Sequence, residues 1–216
     1  MILYDYWRSS SAWRVRIALH FKGIAFERRV VNLIKDGGEQ HTDAFRTLNP
    51  LGQVPVLVTP EKDGARTITQ SMAIIGYLED TVPTPPLLPA DPWLRARARQ
   101  LAELVNAGIQ PFQNLPTMAR VSELGGDAKE FVRGYIARGL DALEASAEAT
   151  AGTFLVADAP SFADVCLVPQ LNAARRFGLE VARWPLLARV EEACMRLQPF
   201  VAAHADRQPD AEGAKK

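Results

Sequence analysis

The hydrophobic pattern opens on ILYDYW, residues 2–7, an apolar and aromatic run of strand length. It passes at once into WRSSSAWRVRIALHFKGI, residues 7–24, where three serines precede apolar residues at helical spacing: Val15, Ala18 and Leu19, with Trp13, Ile17 and Phe21 beside them. The spacing predicts an amphipathic helix over residues 11–22, closed by Gly23 as its C-cap. FERRVV, residues 26–31, reads as a second strand. Strand, helix and strand in this order make a βαβ unit of the parallel-sheet type. A polar segment containing GGEQHTDAF, helical or irregular, leads to NPLGQVPVLV, the hydrophilic turn EKDGA and RTITQ. Two short strands joined through Asp63-Gly64 form a hairpin, and a helix starts at Ser71 in SMAIIGYLEDT.

The pattern then breaks. Residues 81–92, TVPTPPLLPADP, carry Pro83, Pro85, Pro86, Pro89 and Pro92, too dense a set for a helix or a central strand. Beyond it, residues 93–107, 127–149, 161–177 and 184–198 all show helical periodicity. The tail DRQPDAEGAKK has too few apolar residues to pack and is expected to be loose. The fold class is therefore α+β: a thioredoxin-like domain over residues 1–81, a proline-rich linker over 82–92 and an all-helical domain over 93–216. Within the last, Ser161-Phe162-Ala163-Asp164 has the S/T-x-x-D form of an N-capping box, a folding signal and not a site.

Composition removes some function classes. The chain has 216 residues with 25 basic and 25 acidic side chains, so no polybasic face points to nucleic acid. No apolar run reaches the length of about 18 residues that a membrane span needs. MILYDYWR places Asp5 and Arg8 where a signal peptide needs an apolar stretch, so a cytoplasmic location is expected. Cys166 and Cys194 sit in the apolar helical patterns FADVCLVPQL and EEACMRL, as buried free thiols would. His20, His41 and His204 have no ligand spacing, so no metal is expected.

Three short pieces carry candidate chemistry. A serine ahead of a helix is a common N-cap, and one of Ser9, Ser10 and Ser11 accounts for that, leaving spare hydroxyls. The same helix end has free N–H groups and partial positive charge, which stabilise a thiolate. No cysteine stands there, so a thiolate held at that point arrives on a ligand. In Gln53-Val54-Pro55 the proline fits either an edge strand or a cis turn; a cis bond turns the Val54 backbone outward, where an extended peptide can pair with it. Ser71, after Gln70, is either a plain N-cap or part of a helix mouth that receives a carboxylate. Together these pieces describe a binder of a short, acidic, thiol-bearing peptide.

The run SSSAWRVRIAL, with VNLIKDGGEQ, LNPLGQVPVL, TQSMAIIGYLE, PLLPADP, AGIQPFQNL, SFADVCLVPQLNAARRF and a closing RQPD, resembles the zeta-class glutathione transferases, which include maleylacetoacetate and maleylpyruvate isomerases. The resemblance spans essentially the whole chain. It implies glutathione as cofactor and a homodimer of two-domain subunits. It puts the sulfur near Ser9, with Ser10, Ser11 and Ala12 to Arg14 around it. It implies peptide contacts from Gln40, Gln53, Val54, Pro55, Gln70 and Ser71, and further cofactor contacts from Gln110 and Asn114. Arg8 and Arg176 match the cations for a dicarboxylic keto acid, although Arg176 in AARRFG also suits a solvated helix face. The family motif reads Ser-Ser-Cys where this chain has Ser11, which bears on rate and substrate preference.

The implied reaction is glutathione-dependent cis–trans isomerisation of maleylacetoacetate to fumarylacetoacetate in aromatic amino acid catabolism, by thiolate addition, bond rotation and elimination. Maleylpyruvate isomerisation in gentisate degradation, or transfer to halo-acids, is the neighbouring reading. A non-catalytic binding module of the same fold is the rival from another class. The retained hydroxyls, Gln70-Ser71 and Arg176 speak against it, since a scaffold needs none of them.

Overall fold

The computed structural model describes residues 1–60 and 64–214. They form two compact units: Met1–Pro85 together with the segment from Gln198 onward, and Pro86–Leu197. The expected linker over 82–92 is divided between the two units, and the end of the chain, expected in the helical domain, belongs to the first unit.

In the first unit, β1 (Ile2–Asp5), α1 (Ser10–Phe21) and β2 (Glu27–Val30) are followed by α2 (Asp43–Arg46), then β3 (Val56–Thr59), β4 (Arg66–Thr69) and α3 (Ser71–Thr81). The sheet order is β2-β1-β3-β4. Strand β1 runs parallel to β2, with Leu3 opposite Arg28, and antiparallel to β3, with Leu3 opposite Leu57. Strands β3 and β4 are the expected hairpin, Leu57 opposite Ile68. Of its turn, Gly64 is described with φ 118°, while Asp63 lies outside the described residues. The polar segment folds as 3-10 turns at Lys35–Gly37 and Glu39–His41 and then α2, whose Thr42 Oγ1 accepts the Phe45 N–H at 3.3 Å.

Helix α1 is not amphipathic. Every residue from Ala12 to Leu19 is buried, since α3 packs against it and so does α9 (Gln198–Ala203). Trp13 is enclosed with its ring 4.8 Å from that of His204, edge to face. Arg14 and Arg16 are consequently buried with it and must be satisfied internally. The helix ends at Lys22; Gly23 follows at φ 65°, with Gly23 N–H donating to His20 O at 3.1 Å and Ile24 N–H to Leu19 O at 3.0 Å, the crossed pair of a Schellman ending.

The tail is not loose over its described part. It continues through 3-10 turns at Ala205–Arg207 and Pro209–Ala214, with Ala205, Gln208 and Ala211 buried. Gln208 Nε2 donates to Ala202 O at 3.0 Å and His204 O at 2.9 Å, and Asp210 Oδ2 accepts the Trp7 N–H at 2.9 Å. Polar bonds fasten what apolar content could not.

The second unit is helical: α4 (Pro92–Asn106), α5 (Leu115–Glu123), α6 (Ala128–Ala147), α7 (Phe162–Arg176) and α8 (Pro185–Cys194). The Asp91 carboxylate accepts the Leu94 N–H at 2.8 Å ahead of Pro92, and that of Asp127 accepts the N–H groups of Lys129 and Glu130 at 2.9 and 3.0 Å. Helix α6 buries the stripe Val132, Ile136, Leu140 and Leu143, while α7, packed against α4 and α8, is buried continuously from Phe162 to Leu171. The capping box is present: Asp164 Oδ2 accepts from the Ser161 N–H and Oγ–H, both at 2.8 Å, and Oδ1 from the Leu155 N–H at 2.9 Å. Burial outweighs these bonds and pushes the Asp164 carboxyl up to about 6. Cys166 and Cys194 are buried, and neither is in a disulfide among the described residues. No helix among the described residues is long and apolar enough to cross a membrane.

The proline-rich stretch is anchored at both ends. Pro85 O accepts from Lys22 Nζ at 2.6 Å within the first unit, and Leu87 and Leu88 are buried in the second, where Leu87 O accepts the Phe162 N–H at 3.0 Å.

Candidate active site

The Tyr6–Ser9 turn, closed by Ser9 N–H to Tyr6 O at 3.0 Å, delivers the chain into α1. Ser9 is the N-cap, with extended backbone and Oγ accepting the Ala12 N–H at 3.2 Å. A hydroxyl that accepts one bond keeps its own proton to donate, so capping and anion binding are compatible in Ser9. Ser10 and Ser11 are the first two helical residues, half-buried, and their amides belong to the orphan set at a helix start, where the helix dipole is positive. The Arg8 guanidinium lies 5.8 Å from the Trp7 ring centroid.

At α3 the N-cap is Gln70 and Ser71 is the first helical residue, so Ser71 is not the cap that its plain reading made it. Gln70 is exposed and has φ 69°, a left-handed backbone that costs a non-glycine residue on the order of 1–3 kcal/mol and is found where the surroundings enforce it. Ser71 Oγ accepts from Arg14 Nη1 at 3.3 Å. Arg14 therefore reaches from inside α1 to the mouth of α3 and ties two helix N-termini together.

Gln40 is buried, with Nε2 donating to Leu33 O at 3.2 Å and lying 3.1 Å from His41 Nε2. Its Oε1 is a buried acceptor without a partner among the described residues. Two glycines make room for it: a Cβ at Gly38 (φ 102°) would come within 2.4 Å of the Gln40 amide, and one at Gly52 (φ 61°) within 2.9 Å of its carbonyl oxygen. The Val54–Pro55 bond is cis. Ladder pairing of β3 begins at Val56, leaving the Val54 backbone outside the register. The Val54 side chain packs into a cluster with Tyr6, Val31, Phe45 and Val56. Gln53 is exposed, and its carbonyl accepts from Asn49 Nδ2 at 2.7 Å. Asn49, which also accepts the Leu51 N–H at 3.1 Å and the Gly52 N–H at 2.8 Å, organises this approach and was not singled out from sequence; an Asn just ahead of Pro-Leu-Gly is the turn signal that marks it.

The first unit thus contains the serine run, Arg14, Gln40, Gln53, Val54, Pro55, Gln70, Ser71 and Arg8, of which Arg14 and Ser71 are bonded to each other. The remaining candidates lie in the second unit. Gln110 Nε2 donates to Asn114 Oδ1 at 2.8 Å, beside the start of α5. Arg176 is the last residue of α7, exposed, with its guanidinium 5.8 Å from the Phe177 ring centroid.

The chain has relatives among known proteins. The glutathione S-transferase N-terminal domain model matches residues 8–81 and the C-terminal domain model residues 121–198. The maleylacetoacetate isomerase of Mus musculus is 46% identical over 97% of this chain and 94% of its own. A solved maleylacetoacetate isomerase from Anaeromyxobacter dehalogenans, with dicarboxyethyl glutathione and citrate bound in its active site, is 50% identical with a TM-score of 0.87, covering 97% of this chain and 96% of that one. A holo maleylpyruvate isomerase described as a bacterial zeta-class glutathione transferase is 38% identical with a TM-score of 0.90, covering 98% and 100%. With both domain models matched in order and identity sustained over nearly its full length, the chain belongs to the glutathione transferase family, in its zeta, maleylacetoacetate isomerase, class.

Proposed function

We propose that the protein is a glutathione-dependent maleylacetoacetate isomerase, forming fumarylacetoacetate in the breakdown of tyrosine and phenylalanine, in the cytoplasm and as a homodimer, without nucleic acid or membrane partners. The observation that carries the reading is the pair of helix N-termini, Ser9–Ser11 and Gln70–Ser71, joined through Arg14 in a chain 46% identical to a maleylacetoacetate isomerase.

The residues present suit glutathione. Its thiol matches the Ser9 hydroxyl and the open end of α1, with Ser10 and Ser11 alongside. Its γ-glutamyl carboxylate matches the helix mouth at Gln70 and Ser71. Its peptide backbone matches Val54, flanked by Gln53 and Pro55, and the unpartnered Gln40 Oε1, a buried acceptor that a peptide N–H satisfies. Gln110 and Asn114 are assigned to the cofactor as well. When bound, glutathione supplies a thiolate that adds to the cis double bond, making it a single bond free to rotate before the thiolate leaves.

The chain's own groups hold charges in place around that exchange. Ser9 Oγ–H and the first amides of α1 favour the sulfur anion over the thiol. Arg8 and Arg176 pair with the two substrate carboxylates, and a guanidinium nearby stabilises negative charge as it moves onto the keto oxygen. Assays of the purified protein on maleylacetoacetate and on maleylpyruvate, with and without reduced glutathione, test the reading: turnover is expected to need glutathione and to favour maleylacetoacetate. No thiol-dependent turnover of either acid, with no retention on immobilised glutathione, would refute it. Ser11 at the position of the family's cysteine favours maleylpyruvate as the second reading, and the same assay ranks the two.

A further inference from the structure

The first unit contains a charge cluster, fully buried at Asp5 and Arg16 and partly exposed at Arg28 and Asp210, that the proposed chemistry does not use. Asp5 and Arg16 are fully buried and paired at 2.6 Å. Asp5 Oδ2 also accepts from Arg28 Nε at 2.7 Å, and Arg28 Nη2 donates onward to Asp210 Oδ1 at 3.1 Å. Two carboxylates and two guanidinium groups balance to zero, which is how such a cluster is tolerated out of water.

Its outer ends converge on one turn. Asp210 Oδ2 accepts the Trp7 N–H at 2.9 Å. Arg16 Nη2 donates to Trp7 O at 3.0 Å, and Nη1 to Tyr6 O at 3.5 Å, the same carbonyl that receives the Ser9 N–H at 3.0 Å. Both backbone groups of Trp7 are therefore held by charged side chains from opposite ends of the chain. Arg16 Nε donates to Ala203 O at 3.1 Å, fastening the segment that leads to Asp210. A buried ion network is an inefficient way to add stability compared with apolar packing. It is an efficient way to fix a backbone position, because its hydrogen bonds are directional and short. The turn so fixed carries Arg8 and leads into Ser9.

We propose that Asp210, through its direct bond to the Trp7 N–H with support from Arg28, is a positioning residue for the Tyr6–Ser9 turn and so sets the placement of the Ser9 hydroxyl and the Arg8 side chain. The proposal rests on the roles given to Ser9 and Arg8 above. Asp210 touches no reacting atom; it clasps the turn from the chain's far end.

The test uses the full-length enzyme with Asp210→Ala, Asp210→Asn and Asp210→Glu, reading kcat, KM and the pKa of bound glutathione from the ultraviolet absorbance of its thiolate. Misplacement of a reacting group by an ångström costs up to about a hundredfold in rate, so Asp210→Ala is expected to lower kcat by about tenfold or more and to raise the bound thiol's pKa. Asp210→Asn, which keeps an oxygen for the Trp7 N–H, is expected to recover kcat to within a few-fold of wild type. Should Asp210→Ala fail to fold, Asp210→Glu carries the test: it keeps the charge and shifts the carboxylate by one methylene, with a loss of about threefold or more in kcat expected. A lowered melting temperature with kcat and bound-thiol pKa both unchanged would overturn the proposal and leave the network a stabilising one. A wild-type enzyme showing no thiolate absorbance with glutathione would overturn the role of Ser9, and this proposal with it, whatever residue 210 does.

Discussion

At Ser9 one hydroxyl ends a helix and, in the proposed function, holds a cofactor's sulfur, so a simple deletion confounds the two. Alanine at an N-cap costs about 1 kcal/mol, whereas glycine costs only a few tenths. Ser9→Gly is therefore the cleaner variant: the melting temperature is expected to hold within a few degrees while kcat falls by about tenfold or more, as on removing a donor from a developing anion. A rate within twofold of wild type would show that another hydroxyl faces the sulfur. Gln70 poses the converse case. Its backbone at φ 69° is strained for any residue with a Cβ, so Gln70→Gly is expected to raise stability by about 1 kcal/mol in denaturant melts while weakening glutathione binding in calorimetry. Gain of stability without loss of affinity would mean that the strain serves no ligand.

Among the elements, α7 has its start secured by a carboxyl group in a dry place. Asp164 is a raised acid, so the folded chain binds its proton more tightly than the unfolded chain does. Its contribution to stability is therefore complete below about pH 4 and is lost as the pH rises through about 6. Urea melts of wild type and Asp164→Asn across pH 4 to 7 are expected to show this decline in the wild type and its absence in the variant, superimposed on the shared titration of other groups. Asp164→Ala leaves three donors without an acceptor and is expected to cost about 3 kcal/mol near pH 4, and less as the pH rises through about 6. The capping box and the helical period of α6 were legible because each is a local signal, set by neighbours three or four residues away. Helix α5 went unread although Leu115, Met118 and Val121 recur at helical spacing: it is short, and none of its residues is buried. The all-round burial of α1 was hidden for the opposite reason: what covers its polar side is α9, nearly two hundred residues further along, and periodicity cannot report a partner at that distance. The site shows the same division. The serine run and Gln70-Ser71 could be read as helix mouths, while the link between them through Arg14 and the network ending at Asp210 depend on contacts that only the folded chain makes.

On the scale of the molecule, the first unit is built from both ends of the sequence, and α9 is part of its core. Phe200, fully buried in α9, tests that status. Phe200→Ala is expected to lower the free energy of unfolding by about 3–5 kcal/mol, and a cost below about 1 kcal/mol would mean that α9 is peripheral to the core. The discontinuity has a consequence for how the chain is made. Residues 1–85 leave the ribosome first, yet Trp13, Arg16 and the Trp7 turn acquire their covering only when residues 198–211 follow. At about 5–20 residues per second, the intervening helices take on the order of ten seconds to be translated. Throughout that interval the nascent sheet carries an uncovered tryptophan and half-neutralised arginines, a patch for chaperones to shield until synthesis nears its close.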